Sequence, residues 1–378
     1  MKSERLNIAY FSSNRSDFGI TSNFLKKIEN PKKFNLHIII SGNHFIKKFG
    51  YTYKEILNEK FHNLFKLNLS EKDLSAPHFK LSKLHTFFIK KRIESVIVLG
   101  DRYETLLCTS IAHFLNIPVI HIHGGEKTSG SKDDNYRHAI SKLSSIHFVT
   151  HQDYKKRLIQ LGENKKNIHF IGSLANENIK SKLNENFHFN EKEKKFFLIN
   201  KKLVLIAFHP SNQSAKYKGE DFKKLLSYLK KIENIKILIT SPNPDPGYKY
   251  IYKEILNFTK KYKFSIFIPN LGQTKYFNII KFTNLFIGNS SSGVIEVPYF
   301  KIPVLNIGNR QRGRIKSKYV YNVKDINSNI VSYIKRLLTY KKVKIKNELY
   351  SYPSKKMLEI INNINFKEIS VLKDFNDK

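Results

Sequence analysis

Ionisable side chains crowd into one stretch of the chain, residues 98–143. It reads V-L-G-D-R-Y-E-T-L, then N-I-P-V-I-H-I-H-G-G-E-K-T-S-G, then D-D-N-Y-R-H-A-I-S-K-L. It carries Asp101, Arg102, His121, His123, Glu126, Asp133, Asp134, Arg137 and His138. Carboxylates and imidazoles at this density can move protons, and guanidinium groups among them can hold anions. A solvated, charge-rich loop is the plainer alternative. The charges, however, follow apolar runs of the kind that sheets bury. Those runs, Ser95–Leu99 and Ile117–Ile122, flank a helical stretch at Glu104–Leu115. The pattern is strand–helix–strand with polar groups just past the strand ends, where open parallel sheets bind their ligands.

The elements that must position these groups are legible along the rest of the chain. Strands are predicted at Leu6–Phe11, Phe34–Ile40, Ser95–Leu99, Pro118–His121 and His147–Val149, and again at Leu203–Phe208, Ile235–Thr240, Phe264–Phe267, Leu285–Ile287 and Val304–Asn306. Helical patterns fall between them, at Ser22–Glu29, Asp153–Leu161, Phe222–Lys231 and Tyr248–Tyr262. Such alternation predicts an α/β protein with two parallel, doubly wound sheets. The hydrophilic segment Asn184–Lys202 lacks sustained periodicity and reads as a linker. Domains are therefore expected at 1–190 and 191–355, with a tail at 356–378. A last helix pattern, Ser354–Asn363, is expected to pack back on the first domain. No fixed-period repeat is present.

Composition narrows the function classes. At 378 residues the chain is long enough for two cores. Its net charge of +36, from 67 Lys and Arg against 31 Asp and Glu, favours anionic partners. The lysines are spread over Lys/Asn-rich segments such as Asn190–Lys202 and Lys335–Lys346, without a basic stripe, zinc-ligand spacing or an arginine-rich tail. No nucleic-acid partner is expected on that ground. A single cysteine, Cys108, excludes an internal disulfide and reads as a small buried thiol. No apolar run is long enough to span a bilayer and none resembles a signal peptide, so a cytoplasmic protein without a membrane partner is expected.

Three further blocks have physical readings of their own. Asn14 and Arg15 follow the first strand, ahead of a helix expected to start near Thr21. A guanidinium there can grip phosphate beside free helix amides, the alternative being a surface arginine paired with Asp17. In G-N-S-S-S-G-V-I-E-V-P (Gly288–Pro298), Ser290, Ser291, Ser292 and Gly293 form a small-residue turn into a helix. Small side chains admit a pyrophosphate close to the backbone, and Glu296 can accept hydrogen bonds from ribose hydroxyls. The plainer alternative is a serine cap followed by an ordinary glutamate. Arg310 follows the next strand as a further phosphate contact, with Arg314 supporting it.

Taken in order, these blocks resemble the UDP-N-acetylglucosamine 2-epimerase family in its hydrolysing branch. The resemblance is carried by S-N-R-S-D-F-G (Ser13–Gly19), S-G-N-H-F (Ser41–Phe45), the block at 98–143, F-H-P-S (Phe208–Ser211), Gly288–Pro298 and N-I-G-N-R-Q-R-G-R (Asn306–Arg314). It implies two Rossmann-like domains facing a cleft, the glycosyltransferase-B arrangement. The implied activity converts UDP-N-acetylglucosamine, or a 2,4-diacetamido-6-deoxy relative, to the 2-epimerised free sugar and nucleoside diphosphate, for sialic-type acid synthesis. It implies no cofactor and a homodimer or homotetramer. It assigns Arg15 and the serines to the phosphates, Glu296 to the ribose, Tyr276 to stacking on uracil, and raises His44 to a site residue.

The family's route eliminates the nucleoside diphosphate to a glycal, then adds water. That needs carboxylates for proton transfer, here Asp101, Glu126, Asp133 and Asp134, and cations that stabilise the leaving diphosphate, here Arg15, Arg102, His209 and Arg310. Carboxylates crowded together are expected to raise at least one pKa. Asp133 is expected to cap a helix at Asn135–Leu143, leaving Asp134 for catalysis. Where non-hydrolysing relatives carry His-x-Glu-Ala-Gly, this chain has H-I-H-G-G-E, so the role of that glutamate passes to Glu126 or to His123 as a substitute acid/base. His121 and His123 lack a third ligand at metal spacing, and no metal is expected. Two other readings are a retaining glycosyltransferase of the same architecture and a non-catalytic basic nucleic-acid-binding protein.

Overall fold

The structure, a computed structural model, describes residues 5–29, 33–46, 51–69, 78–128, 132–183, 185–210, 215–243, 247–341 and 352–376. The chain divides into two compact units. One comprises Met1–Glu126, Lys132–Asn178 and Tyr350–Lys378; the other comprises Lys127–Ser131 and Ile179–Leu349. The chain passes from the first to the second within the helix Leu174–Leu183.

The first unit is built on β1 (Leu6–Ser12), β2 (Phe34–Ile40), β3 (Asn63–Lys66), β4 (Ser95–Leu99), β5 (Val119–Ile122), β6 (Ile146–Val149) and β7 (Ile168–Phe170). These form one parallel sheet in the order β3-β2-β1-β4-β5-β6-β7. Every residue of β4 and β5 is buried, as expected of central parallel strands covered by helices on both faces. Alternate side chains feed two cores: Ile8 and Tyr10 join one, Ala9 and Phe11 the other. The helix Pro353–Asn362 contributes Met357 and Ile361 to the Ile8 core. Cys108 is fully buried in the helix Tyr103–Phe114, and burial pushes its thiol pKa up.

The second unit repeats the plan with β8 (Lys202–Ala207), β9 (Ile235–Ile239), β10 (Ser265–Phe267), β11 (Leu285–Gly288), β12 (Val304–Ile307) and β13 (Val320–Val323). Their order is β10-β9-β8-β11-β12-β13, again all parallel. Each sheet reverses its strand order once, between β1 and β4 in the first unit and between β8 and β11 in the second. Those two reversals are where doubly wound sheets open a crevice.

Two expectations need correction. The stretch expected to be a linker contains a helix, Glu191–Leu198, opened by a capping box between Asn190 and Glu193. Its buried Phe196 ties it to the second unit's core. The first helix starts at Arg15, not near Thr21. Asn14 Oδ1 accepts from the amides of Ser16 (2.8 Å) and Asp17 (3.0 Å), which nucleates the helix directly at the end of β1. Among the described residues no helix is long and apolar enough to cross a membrane. Nor do three or more His, Cys, Asp or Glu side chains among them gather as a metal site.

Candidate active site

At the ends of β4 and β5 the organising group is Arg137. It is only 2% exposed, although it lies on the charged helix Asp133–Leu143. One guanidinium nitrogen donates to Asp101 Oδ2. The other donates to Glu126 Oε2 (3.4 Å) and to the backbone carbonyl of His123 (3.2 Å). Burial works against the charged guanidinium, yet Asp101, Glu126, Asp134 and Asp133 together raise its pKa, so it stays cationic. The crowding expected of four carboxylates is therefore offset by a buried cation in their midst. His123 Nδ1 lies 2.9 Å from Glu126 Oε1, and the Thr150 hydroxyl donates to the same oxygen at 3.4 Å.

The neighbouring residues shape this corner. His121 is fully buried, with Nε2 2.8 Å from the Gly100 carbonyl and Nδ1 3.1 Å from the Ser141 hydroxyl. Burial lowers its pKa to about 3, so it serves as a neutral brace between the Gly-Asp-Arg turn and the helix. Gly125 has φ +71°, and a Cβ there would sit 2.4 Å from the Tyr154 carbonyl oxygen. The turn can thus fold tightly against the helix Gln152–Gln160 only as glycine. Asp133 does not cap its helix as expected: it is the first helical residue, and the cap is Lys132, without a side-chain capping bond. Both aspartates occupy the first turn, where negative charge meets the positive end of the helix dipole. Asp134 lies 3.8 Å from His138.

At the end of β1 the inward carboxylate is Asp17. It accepts from the Ser12 hydroxyl (2.5 Å), the Ser13 amide and hydroxyl (both 2.8 Å) and the Asn14 amide (3.0 Å). Burial pushes its pKa up against those bonds. Ser12 Oγ is also 2.8 Å from His44 Nε2, while His44 Nδ1 is 2.9 Å from Thr52 Oγ1. His44 is fully buried, and burial holds its pKa at about 4. It acts on this corner as a neutral support for the Ser12–Asp17 turn. Arg15 Nε pairs with Glu55 at 3.1 Å on a part-exposed surface. The free helix amides expected to assist it at Ser16 and Asp17 are taken by Asn14. Arg102 precedes the helix Tyr103–Phe114, 3.5 Å from the buried Glu104.

In the second unit Asn289 fastens the ends of β8 and β11 together. Its Oδ1 accepts from the His209 amide (2.7 Å) and its Nδ2 donates to the His209 carbonyl (2.8 Å). Arg310 and Gln311 donate to its backbone carbonyl at 3.3 and 2.9 Å. Gly288 admits this close approach, since a Cβ would lie 2.0 Å from the Ala207 carbonyl oxygen. His209 Nδ1 accepts from the Asn243 amide at 3.0 Å, which leaves Nε2 as the nitrogen that bears hydrogen. Burial, with Arg310 beside it, lowers the His209 pKa to about 3. The expectation that His209 contributes positive charge is corrected: the structure makes it a neutral hydrogen-bond donor.

Ser290 caps the short helix Ser291–Ile295, accepting from the Ser292 amide at 3.4 Å. Gly293 packs that helix on the sheet, its missing Cβ leaving room for the Phe286 ring. Ser292 Oγ is 2.7 Å from the Tyr276 hydroxyl and also hydrogen-bonds Glu296. Burial pushes the Glu296 carboxyl pKa up, while Ser292 and the Arg314 charge pull it down. Tyr276, Ser292, Glu296 and Arg314 thus form one group next to the serine turn.

Residues 26–362 match the protein family described as UDP-N-acetylglucosamine 2-epimerase. The chain belongs to that family. It is 38% identical over 323 residues to the GDP/UDP-N,N'-diacetylbacillosamine 2-epimerase (hydrolyzing) of Campylobacter jejuni, covering 83% of each chain. It is 33% identical to polysialic acid biosynthesis protein P7 of Escherichia coli, covering 84% of this chain and 82% of that one. Its fold is similar to that of the Neisseria meningitidis UDP-GlcNAc 2-epimerase solved with UDP-GlcNAc, with a TM-score of 0.77 at 18% identity over 95% of this chain and all of the other.

Within this epimerase-family chain the structure gathers Asp101, Glu126, Asp133, Asp134 and His123 about Arg137. Separately, it gathers Tyr276, Ser290, Ser292 and Glu296, and His209 with Arg310. Two organising residues have no assigned role in the sequence reading. Arg137 is there one charge among many. Asn289 is a letter in the G-N-S-S-S-G block, and its position between a strand's terminal glycine and a serine turn is the available signal.

Proposed function

We propose that this epimerase-family chain hydrolyses a nucleoside diphospho-2-acetamido sugar with inversion at C2, releasing the free epimerised sugar and the nucleoside diphosphate. The sugar is assigned as the 2,4-diacetamido-6-deoxy kind, following the name of the Campylobacter relative. N-acetylglucosamine is the second substrate to test. One observation carries the chemistry: past the ends of β4 and β5 the buried Arg137 guanidinium binds Asp101 and Glu126, and the charges of Asp133 and Asp134 also act on it. A glycosyltransferase needs fewer acid–base groups there.

In this reading the proton transfers belong to the cluster of Asp101, Asp134 and the His123–Glu126 pair. Asp133 keeps the helix start negative and favours the cationic Arg137. The diphosphate is held by the Ser290–Gly293 turn and Arg310, with His209 Nε2–H as a donor that strengthens as negative charge develops on the leaving oxygen. Arg15 and Arg102 contact the substrate's anionic groups, and Glu296 takes the ribose hydroxyls beside Tyr276. The enzyme is assigned to the cytoplasm and to a homodimer or homotetramer, which light scattering of the purified chain tests.

Incubation with UDP- and GDP-linked 2-acetamido and 2,4-diacetamido sugars, without acceptor, followed by NMR in D2O, tests the activity. The expected product is free 2-epimerised sugar carrying deuterium at C2. Product inverted at C2 but without deuterium would remove the elimination route. Transfer of intact sugar to an acceptor, with no free epimer, would favour the glycosyltransferase.

A further inference from the structure

Both oxygens of Glu126 are already engaged. Oε1 faces His123 Nδ1 at 2.9 Å and Thr150 at 3.4 Å, and Oε2 faces Arg137 at 3.4 Å. The carboxylate is 4% exposed. A group clamped at both oxygens is poorly placed to meet a substrate carbon. His123, in contrast, is held on one side only. Its Nδ1 is fixed by Glu126 and its carbonyl by Arg137. Its Nε2 is buried and, among the described residues, has no hydrogen-bond partner. The residue leaves β5 with φ +68°, a left-handed conformation that non-glycine residues seldom adopt. A strained backbone and an unpaired buried nitrogen persist where the surroundings over-determine them, commonly where a ligand completes the site.

We infer that His123 Nε2 is the group that takes the C2 proton, and that Glu126 acts through it as a positioning residue. This rests on the proposed epimerase activity and names the reacting atom within it. An ionised Glu126 accepting at Oε1 requires the hydrogen on Nδ1, which leaves the lone pair on Nε2. In the first half-reaction Nε2 removes hydrogen from C2. The C2–H electrons form the C1=C2 bond, and the C1–O bond breaks with its pair passing to the nucleoside diphosphate. In the second, water adds its hydroxyl to C1 while a proton reaches C2 from the opposite face. Inversion needs a donor on that other face, so His123 serves the elimination and a different group serves the hydration.

The two halves can be measured apart. Nucleoside diphosphate release reports the elimination; hydration of supplied 2-acetamidoglycal reports the addition. His123→Asn keeps a residue that tolerates left-handed backbone. It is expected to slow diphosphate release by about 100-fold or more with little change in KM, while hydration stays within about 5-fold of the unaltered enzyme. Glu126→Gln retains an oxygen that can accept from Nδ1 and is expected to lose roughly 10-fold in release, with Glu126→Ala losing more. Should His123→Asn prove unfolded by circular dichroism, His123→Gln carries both assays. Near-normal release in a folded His123 variant, or equal loss in both halves, would overturn the assignment. If the unaltered enzyme converts no nucleotide sugar, the proposed activity itself fails.

Discussion

Replacing Arg137 by Met keeps a long side chain in the helix but removes the cation that Asp101 and Glu126 face. Glu126, 4% exposed, would then lose the cation that faces its Oε2. Breaking a buried ion pair by removing one partner costs about 3–5 kcal/mol. In a unit of about two hundred residues each kcal/mol moves Tm by roughly 2–4 °C, so the expected fall is roughly 6–20 °C. Calorimetry near neutral pH measures it. The deficit should shrink as pH falls, because protonating the stranded carboxylates removes the buried charge. For the same reason, adding Asp101→Asn and Glu126→Gln to the Arg137→Met chain should restore much of the stability. A single variant that loses less than about 1 kcal/mol, or a triple variant no more stable than the single, would refute the argument that Arg137 is held by charge.

Three further outcomes follow from the same geometry. Burial keeps His44, His121 and His209 neutral, with pKa values of about 4, 3 and 3. Their folded values lie below that of a free imidazole, so the unfolded chain binds more protons as pH drops below about 6.5. The stability they contribute is complete above that pH and is lost as pH falls toward the folded values, which urea midpoints across the range will show as a steady decline. Glu296→Ala should weaken UDP inhibition by roughly 10- to 150-fold, the equivalent of about 1.5–3 kcal/mol for a hydrogen bond to a charged group; unchanged inhibition would remove Glu296 from the ribose. Gly288→Ala places a methyl against the Ala207 carbonyl and should destabilise the second unit by about 1–3 kcal/mol or more, read as a lower denaturation midpoint.

The central strands were legible because parallel strands buried on both faces read as short, continuous apolar runs. β1, β2, β4, β8, β9 and β11 all appear in the sequence reading within a residue or two. The strands that escaped it, β3, β7 and β13, lie at sheet edges. Asn63–Lys66, Ile168–Phe170 and Val320–Val323 are three or four residues long, and each carries a polar side chain. Such segments become strands by pairing with a neighbour already in place, which no local pattern records. The start of the first helix was missed for a related reason. Asn14 supplies the cap, but S-N-R-S-D-F-G offers no apolar periodicity until Phe18.

The candidate site was legible as a list of charges and illegible as an arrangement. Spacing placed Asp101 and Glu126 beyond adjacent strands, as the structure does. It could not tell a charged histidine from a neutral one, because burial sets that difference for His209. Arg137 is the sharper case. Four residues after Asp133, it reads as half of an ordinary surface pair on a polar helix. Yet the helix buries Arg137, Ile140 and Ser141, positions spaced by three and four, which is the stripe a helix turns toward its core. An arginine on that stripe must bring its counter-charges inside with it, and here the loops after β4 and β5 supply them as Asp101 and Glu126. The informative signal was therefore not the density of charge but one cation standing where the helical period calls for an apolar residue.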